Sequence, residues 1–249
     1  WMKTANFVAG IFQVDTYVAI LLVLFTLVFS LFPVFWKQVF CRCAGPEGCC
    51  VGGGGAACAQ LYRTMQLEGI VGWDAFRQAV TGYHKIAGRK RDVLTLIDFS
   101  RPSTEKRLFV FDMKQHRLLF SSVVSHGKNS GGVYATSFSN EYGSYKFLGF
   151  YLTETTYQGK NGYSLILNGL ERGINDRARE RAIVMHGAAY ADPSVVGKGG
   201  RLGRSFGCPA VPQKLTRPII EHQGGSVMYI YAETPDYLAH SSVLSGYRA

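Results

Sequence analysis

The sequence predicts a mainly β domain, a sandwich or barrel with a few helices, preceded by a short helical segment and a transmembrane or signal helix. Three observations predict it. Short runs rich in Val, Leu, Ile and Phe recur at close spacing from Val93 onward, separated by turn-prone residues. Helical periodicity is confined to brief stretches. Residues 17–36 form one apolar run without a charge.

Taken in order, residues 1–40 hold the membrane or signal segment. Its core, Tyr17–Trp36 (YVAILLVLFTLVFSLFPVFW), matches the roughly 20 apolar residues that span a bilayer and exceeds a secretory core of roughly 7–15. An uncleaved anchor is the first reading and a signal peptide the second. Lys3 precedes the run while Lys37 and Arg42 follow it, so the positive-inside rule does not orient it. Residues 41–58 carry Cys41, Cys43, Cys49, Cys50 and Cys58 together with Gly52–Gly55. Four consecutive glycines hold regular structure only at high entropic cost, which predicts a tether. The cysteine spacing matches no familiar zinc pattern; in an oxidising compartment these thiols would pair.

Residues 59–90 turn helical. Leu61 and Met65 mark a short helix, and Trp73, Phe76, Val80 and Tyr83 recur at three- and four-residue steps, giving one apolar face. Residues 91–235 form the β domain, with strands expected in VLTLIDF, RLFVFDM, HRLLFSSVVSHG, KFLGFYLT, YSLILNG, RAIVMHG and SVMYIYAE. A helix is expected over Gln213–His222, between Pro212 and Gly224-Gly225, and another capped by Asn175-Asp176. Residues 236–249 read as a tail.

The net charge is +10 and the pI about 9.4, which suits either a polyanionic partner or simply a soluble basic surface. Lys and Arg are scattered, and no basic stripe interleaved with aromatics appears, so nucleic-acid binding has no support.

Chemistry concentrates in RAIVMHGAAYADPSVVGKGGRLGRSFGCPAVP. An apolar strand ends in His186-Gly187, a glycine-rich loop follows, and Ser205-Phe206-Gly207-Cys208-Pro209 closes it. A histidine fixed at a strand end beside a turn that presents a thiol is how a cysteine nucleophile is activated. Glycine before the thiol lets a substrate approach the backbone closely, and the N–H groups of Gly207 and Cys208 are candidate oxyanion donors. A lone cysteine in a β domain is also a common packing residue, so the spacing of one His and one Cys does not decide the matter.

The blocks LTLIDFSRPSTEKRLFVFD, VSHGKNSG, ATSFSN, GSYKFLGFYLT, YSLILNGLERGIND, RAIVMHGA and GRLGRSFGCPAVP, in this order, resemble the murein L,D-transpeptidase catalytic domain, a branch of the YkuD-type cysteine transpeptidases. The resemblance runs from about Leu61 to Ala232. It implies an L,D-transpeptidase-like β sandwich or barrel, with Cys208 as nucleophile, His186 as base, and Ser205 and Gly207 as partners in the cysteine motif. It also implies a Cys208 thiol of depressed pKa and a histidine oriented largely by backbone carbonyls. Two departures stand out. Phe206 replaces the histidine found in the wider superfamily, and Pro209-Ala210 stands where an aliphatic residue and an arginine are usual. Arg204 and Arg201 are the candidate replacements for that arginine. Gly187, His126 and Tyr134 complete the candidate substrate contacts, with Ser137, Ser139 and Asn140 at a groove edge as weaker ones. Asp192 is the nearby acid in the loop, but the family's backbone-oriented histidine leaves it without a role.

The implied reaction is acyl transfer on peptidoglycan stem peptides outside the cytoplasm, by a monomer that needs no metal or organic cofactor. Membrane attachment would come from the N-terminal segment. An L,D-carboxypeptidase or endopeptidase on wall peptides, and a non-catalytic membrane-tethered peptidoglycan-binding module, are the competing functions.

Overall fold

The computed structural model describes residues 54–136, 138 and 148–247, all within one compact unit, Cys49–Ala249. The expected membrane segment, most of the Gly/Cys tether, and Ser137, Ser139 and Asn140 lie outside the described residues. Among the described residues no helix is long and apolar enough to cross a membrane.

Among the described residues five helices and eight strands follow in the order α1 Gly54–Thr64, α2 Trp73–Lys85, β1 Val93–Asp98, β2 Leu108–Asp112, β3 Arg117–Ser122, β4 Gly149–Gly159, β5 Gly162–Gly169, β6 Val184–Gly187, α3 Val196–Gly199, β7 Ala210–Val211, α4 Gln213–Ile220, β8 Val227–Tyr231 and α5 Pro235–His240. Helix α1 begins earlier than its glycines suggest. Ala56 and Ala57 favour the helix, and Cys58 and Met65, at its end, are buried.

The strands form a single sheet in the order β3-β2-β1-β8-β4-β5-β6-β7. Its centre is the parallel pair β1–β8, where Leu94 to Asp98 face Val227 to Tyr231. Both strands are buried almost throughout, which explains why they read as continuous apolar runs rather than alternating ones. The amphipathic face of α2 packs here through Phe76, Ala79, Val80 and Tyr83. Gly82 permits the close approach: a Cβ there would lie 2.0 Å from the Phe150 ring. Phe150 in turn stacks on Tyr229 at 4.1 Å, and the Tyr229 hydroxyl donates to Gln78 at 2.7 Å.

Edge strands β3 and β7 do not end in solvent. The chain leaving β3 turns back so that Ser125 bridges Ala210 of β7 and Gly127 bridges Ser205. These two bridges join the opposite edges and make the sheet barrel-like, removing the exposed edges that an open sheet would present.

The region after β5 differs from expectation. No helix follows Asn175; residues 171–182 are successive turns. The Asn175 amide donates to Leu148 O at 2.8 Å and to Phe150 O at 3.0 Å, while its oxygen accepts from Glu171 N at 2.9 Å. A side chain committed to β4 carbonyls cannot cap a helix.

Candidate active site

His186 ends β6 beside two neighbours. It pairs with Ser164 of β5 on one side and with Ala210 of β7, in parallel, on the other. Its Nδ1 lies 3.0 Å from Gly187 O. A carbonyl only accepts, so Nδ1 carries the proton and Nε2 keeps its lone pair. Burial lowers the His186 pKa below the ordinary histidine value, partly opposed by the bond to Gly187, and leaves a neutral imidazole at pH 7.

Gly187 has a second task. A Cβ at this position would sit 2.0 Å from Thr216 Oγ1 and 3.1 Å from Thr216 Cβ, so only glycine lets α4 lie against β6. Its carbonyl also orients the histidine.

Cys208 approaches along β7. Cys208 lies two residues before Ala210, which pairs with His186, and the Val184 N–H of the same strand β6 meets its sulfur. The sulfur lies 3.9 Å from Ala182 O and is flanked by the N–H groups of Val184 and of Cys208 itself. Among the described residues no hydrogen bond joins the sulfur to the His186 ring. Burial pushes the thiol above the ordinary cysteine range, and those two N–H groups only partly offset it. This direction runs against the depressed thiol pKa expected from the sequence, burial of the sulfur being the largest cause.

The turn that presents Cys208 is built by Ser205 and Gly207. Ser205 is buried, and its Oγ accepts the Gly207 N–H at 3.0 Å. Its backbone is gripped on both sides, with N donating to His126 O at 3.1 Å and O accepting from Lys128 N at 2.7 Å. Gly207 has φ +118°, a conformation closed to side chains. Its N–H, a candidate oxyanion donor in the sequence, is engaged by Ser205 Oγ in this structure.

The family described as the L,D-transpeptidase catalytic domain matches residues 68–231, well over half of the chain. The chain belongs to this family. Solved structures similar to it include an L,D-transpeptidase from Mycobacterium smegmatis, at 14% identity over 57% of this chain and 59% of that one, with TM-score 0.35. Another is L,D-transpeptidase 3 from Mycobacterium tuberculosis, at 12% identity over 56% of this chain and 61% of that one, also with TM-score 0.35. A third is an L,D-transpeptidase solved in complex with imipenem, at 12% identity over 56% of this chain and 59% of that one, with TM-score 0.34. The chain spans about three fifths of the length of these solved relatives. No curated protein matches it.

The remaining expected site residues of this L,D-transpeptidase domain divide into two groups. Arg204 donates from Nη1 to Gly131 O at 2.7 Å, tying the cysteine loop to the loop that carries Tyr134, whose side chain is exposed. Arg201 donates to Leu202 O at 3.0 Å, and Lys128 lies 4.5 Å above the ring of Phe206, which is 64% exposed two residues before Cys208. His126 belongs elsewhere. It is 3% exposed, its ring faces Arg107 at 2.8 Å, and it packs edge-on against Phe99. It does not line a groove, because its position in the barrel seam turns it inward.

Asp192 caps the short 3₁₀ turn Pro193–Val195 by accepting from Ser194 N at 3.0 Å. Tyr190 is a residue that spacing did not single out. It packs on Ala188, Ala191 and Ala210, and burial together with the nearby Cys208 sulfur raises its phenol to about 12. Gly203 makes room for it, since a Cβ there would meet Tyr190 Cβ at 2.5 Å.

Proposed function

We propose that this protein is a peptidoglycan L,D-transpeptidase that works through a cysteine acyl-enzyme outside the cytoplasm. One observation supports the reading within the family: the strand that carries His186, whose Nδ1 is held by Gly187 O, pairs in parallel with the strand that Cys208 leads into.

In the first step His186 Nε2 takes the thiol proton as the sulfur attacks the carbonyl of the third stem-peptide residue. The C–S bond forms, the C–N bond to D-Ala breaks, and the imidazolium returns the proton to the departing amine. In the second step an amine from another stem attacks the thioester, loses its proton to His186, and expels the thiolate, which recovers that proton. Burial shifts both groups towards their neutral forms, which favours proton transfer in concert with attack over a preformed ion pair. A turn of the Cys208 side chain away from Ala182 O brings the sulfur towards the imidazole; such bonds commonly tighten only when substrate arrives. Among donors near the sulfur, the N–H groups of Cys208 and Val184 are the candidates to meet the oxyanion.

The test is mass spectrometry of the full chain incubated with a disaccharide tetrapeptide. Loss of D-Ala with a cross-linked dimer, both absent in Cys208→Ala, is the expected result. Loss of D-Ala without a dimer makes the protein an L,D-carboxypeptidase. An unchanged tetrapeptide with retained binding makes it a wall-binding module.

A further inference from the structure

Arg107 directly precedes β2 and is 0% exposed. A guanidinium taken out of water needs acceptors for its donors. Burial draws its pKa down to about 9, opposed by Asp98, so it remains a cation at neutral pH. No ion pair to a carboxylate is formed by it among the described residues. The Asp98 carboxylate is occupied by Ser100 and pairs with Arg101 at 3.5 Å. The Arg107 bonds run to the backbone and to one ring. Nε and Nη2 both donate to Val124 O, at 3.0 and 2.7 Å, Nη1 donates to Arg101 O at 3.0 Å, and Nη2 meets His126 Nδ1 at 2.8 Å. Because a guanidinium only donates, His126 accepts at Nδ1.

Val124 and His126 alternate with the residues that close the barrel. Ser125 N donates to Ala210 O at 2.8 Å, His126 O accepts from Ser205 N at 3.1 Å, and Lys128 N donates to Ser205 O at 2.7 Å. Residues 205 and 210 stand on either side of Cys208. One buried guanidinium thus grips the strand segment that holds both ends of the cysteine turn.

We propose that Arg107 is a positioning residue for Cys208, acting through Val124 O and the His126 ring to set where the closing seam places the nucleophile. The proposal rests on the reading of Cys208 as nucleophile. Arg107 has no access to substrate, so it affects the acylation step and not substrate capture. Lysine cannot replace it, since a single nitrogen cannot reach Val124, Arg101 and His126 in the fixed directions of a planar fork.

The experiment uses the full chain with Arg107→Lys, His126→Asn and His126→Leu. It measures kcat and KM for D-Ala release from a disaccharide tetrapeptide, the Tm, and the rate of Cys208 alkylation by iodoacetamide at pH 7. Rates are normalised to the alkylatable thiol. Arg107→Lys is expected to lower kcat by about 10–100-fold, the loss that a displacement of about 1 Å brings, with KM within about twofold. His126→Asn, which keeps an acceptor for the guanidinium, should lose about threefold, and His126→Leu at least as much as Arg107→Lys. A normalised kcat equal to wild type in Arg107→Lys, with only Tm reduced, overturns the proposal. If Arg107→Lys does not fold, a wild-type kcat in His126→Leu overturns it equally. If the wild-type chain leaves the tetrapeptide untouched, the transpeptidase reading is what fails. The alkylation rates then decide the positioning role alone: slowed in Arg107→Lys and His126→Leu supports it, unchanged in both rejects it.

Discussion

Burial acts on Cys208 and His186 in opposite directions, raising the thiol pKa and lowering that of the imidazolium, and both shifts favour the uncharged pair. The pH dependence follows from their signs. Below the depressed pKa of His186 the base is protonated and acylation stops; as pH climbs through that value the rate rises and levels off. The midpoint of this acid limb is expected below the ordinary histidine value of about 6.5, and a midpoint above it would falsify the neutral-pair mechanism. Single-turnover acylation against pH measures it. In His186→Gln the acid limb should vanish, leaving a rate that follows thiol ionisation alone and is about 10²–10⁴-fold lower near neutrality. Arg107 lies at the same scale but was invisible in the sequence. A charged residue at the head of an apolar run reads as a solvent-facing strand end, and only the closure of the sheet over it makes it a buried clamp.

At the scale of the element, the cysteine turn and the β6–α4 contact each depend on one glycine. Gly207→Ala forces a side chain into φ +118°, at a strain of about 1–3 kcal/mol, and the turn relieves it by moving Cys208. Acylation should fall about 10–100-fold while far-UV circular dichroism is unchanged. Gly187→Ala drives a methyl into Thr216, an overpacking of about 1–3 kcal/mol that thermal denaturation reads directly. Adding Thr216→Ala removes the atom at 2.0 Å and should recover part of the loss.

Most strands and the helix after Pro212 were legible because apolar runs and proline or glycine boundaries mark them locally. Strand β4 extends to Gly159, beyond its apolar run, because its polar half TETTYQG is held by hairpin pairing with β5 rather than by burial. The motif singled out Cys208 and His186, and the structure puts their segments on adjacent strands. The inward turn of His126 and the β4-directed amide of Asn175 were not, since both result from partners distant in the chain.

At the scale of the whole molecule, the C-terminal residues after β8 are fastened through Glu171. This fully buried carboxylate accepts from Phe150 N at 2.8 Å, from the Tyr237 hydroxyl at 2.8 Å and from Ser241 Oγ. All three partners donate. Glu171→Gln would aim an amide N–H at one of them, leaving donors unmatched at about 1–3 kcal/mol each. The expected drop in Tm is roughly 3–10 °C, with alkylation of Cys208 in the folded protein unaffected. An unchanged Tm would show that the C-terminal helix α5 contributes nothing to the stability of the domain.

The seam between residues 125–127 and 205–210 joins segments separated by most of the β domain. Such long-range pairings are formed late, once loop-closure entropy has been met by the local hairpins. Strands β6 and β7, nearer in sequence, pair directly, and the seam then adds the contacts that fix the turn bearing Cys208. A chain stalled before that point would hold the Cys208 turn without its bonds to His126 O and Lys128 N, so closure of the barrel is what gives that turn its final shape.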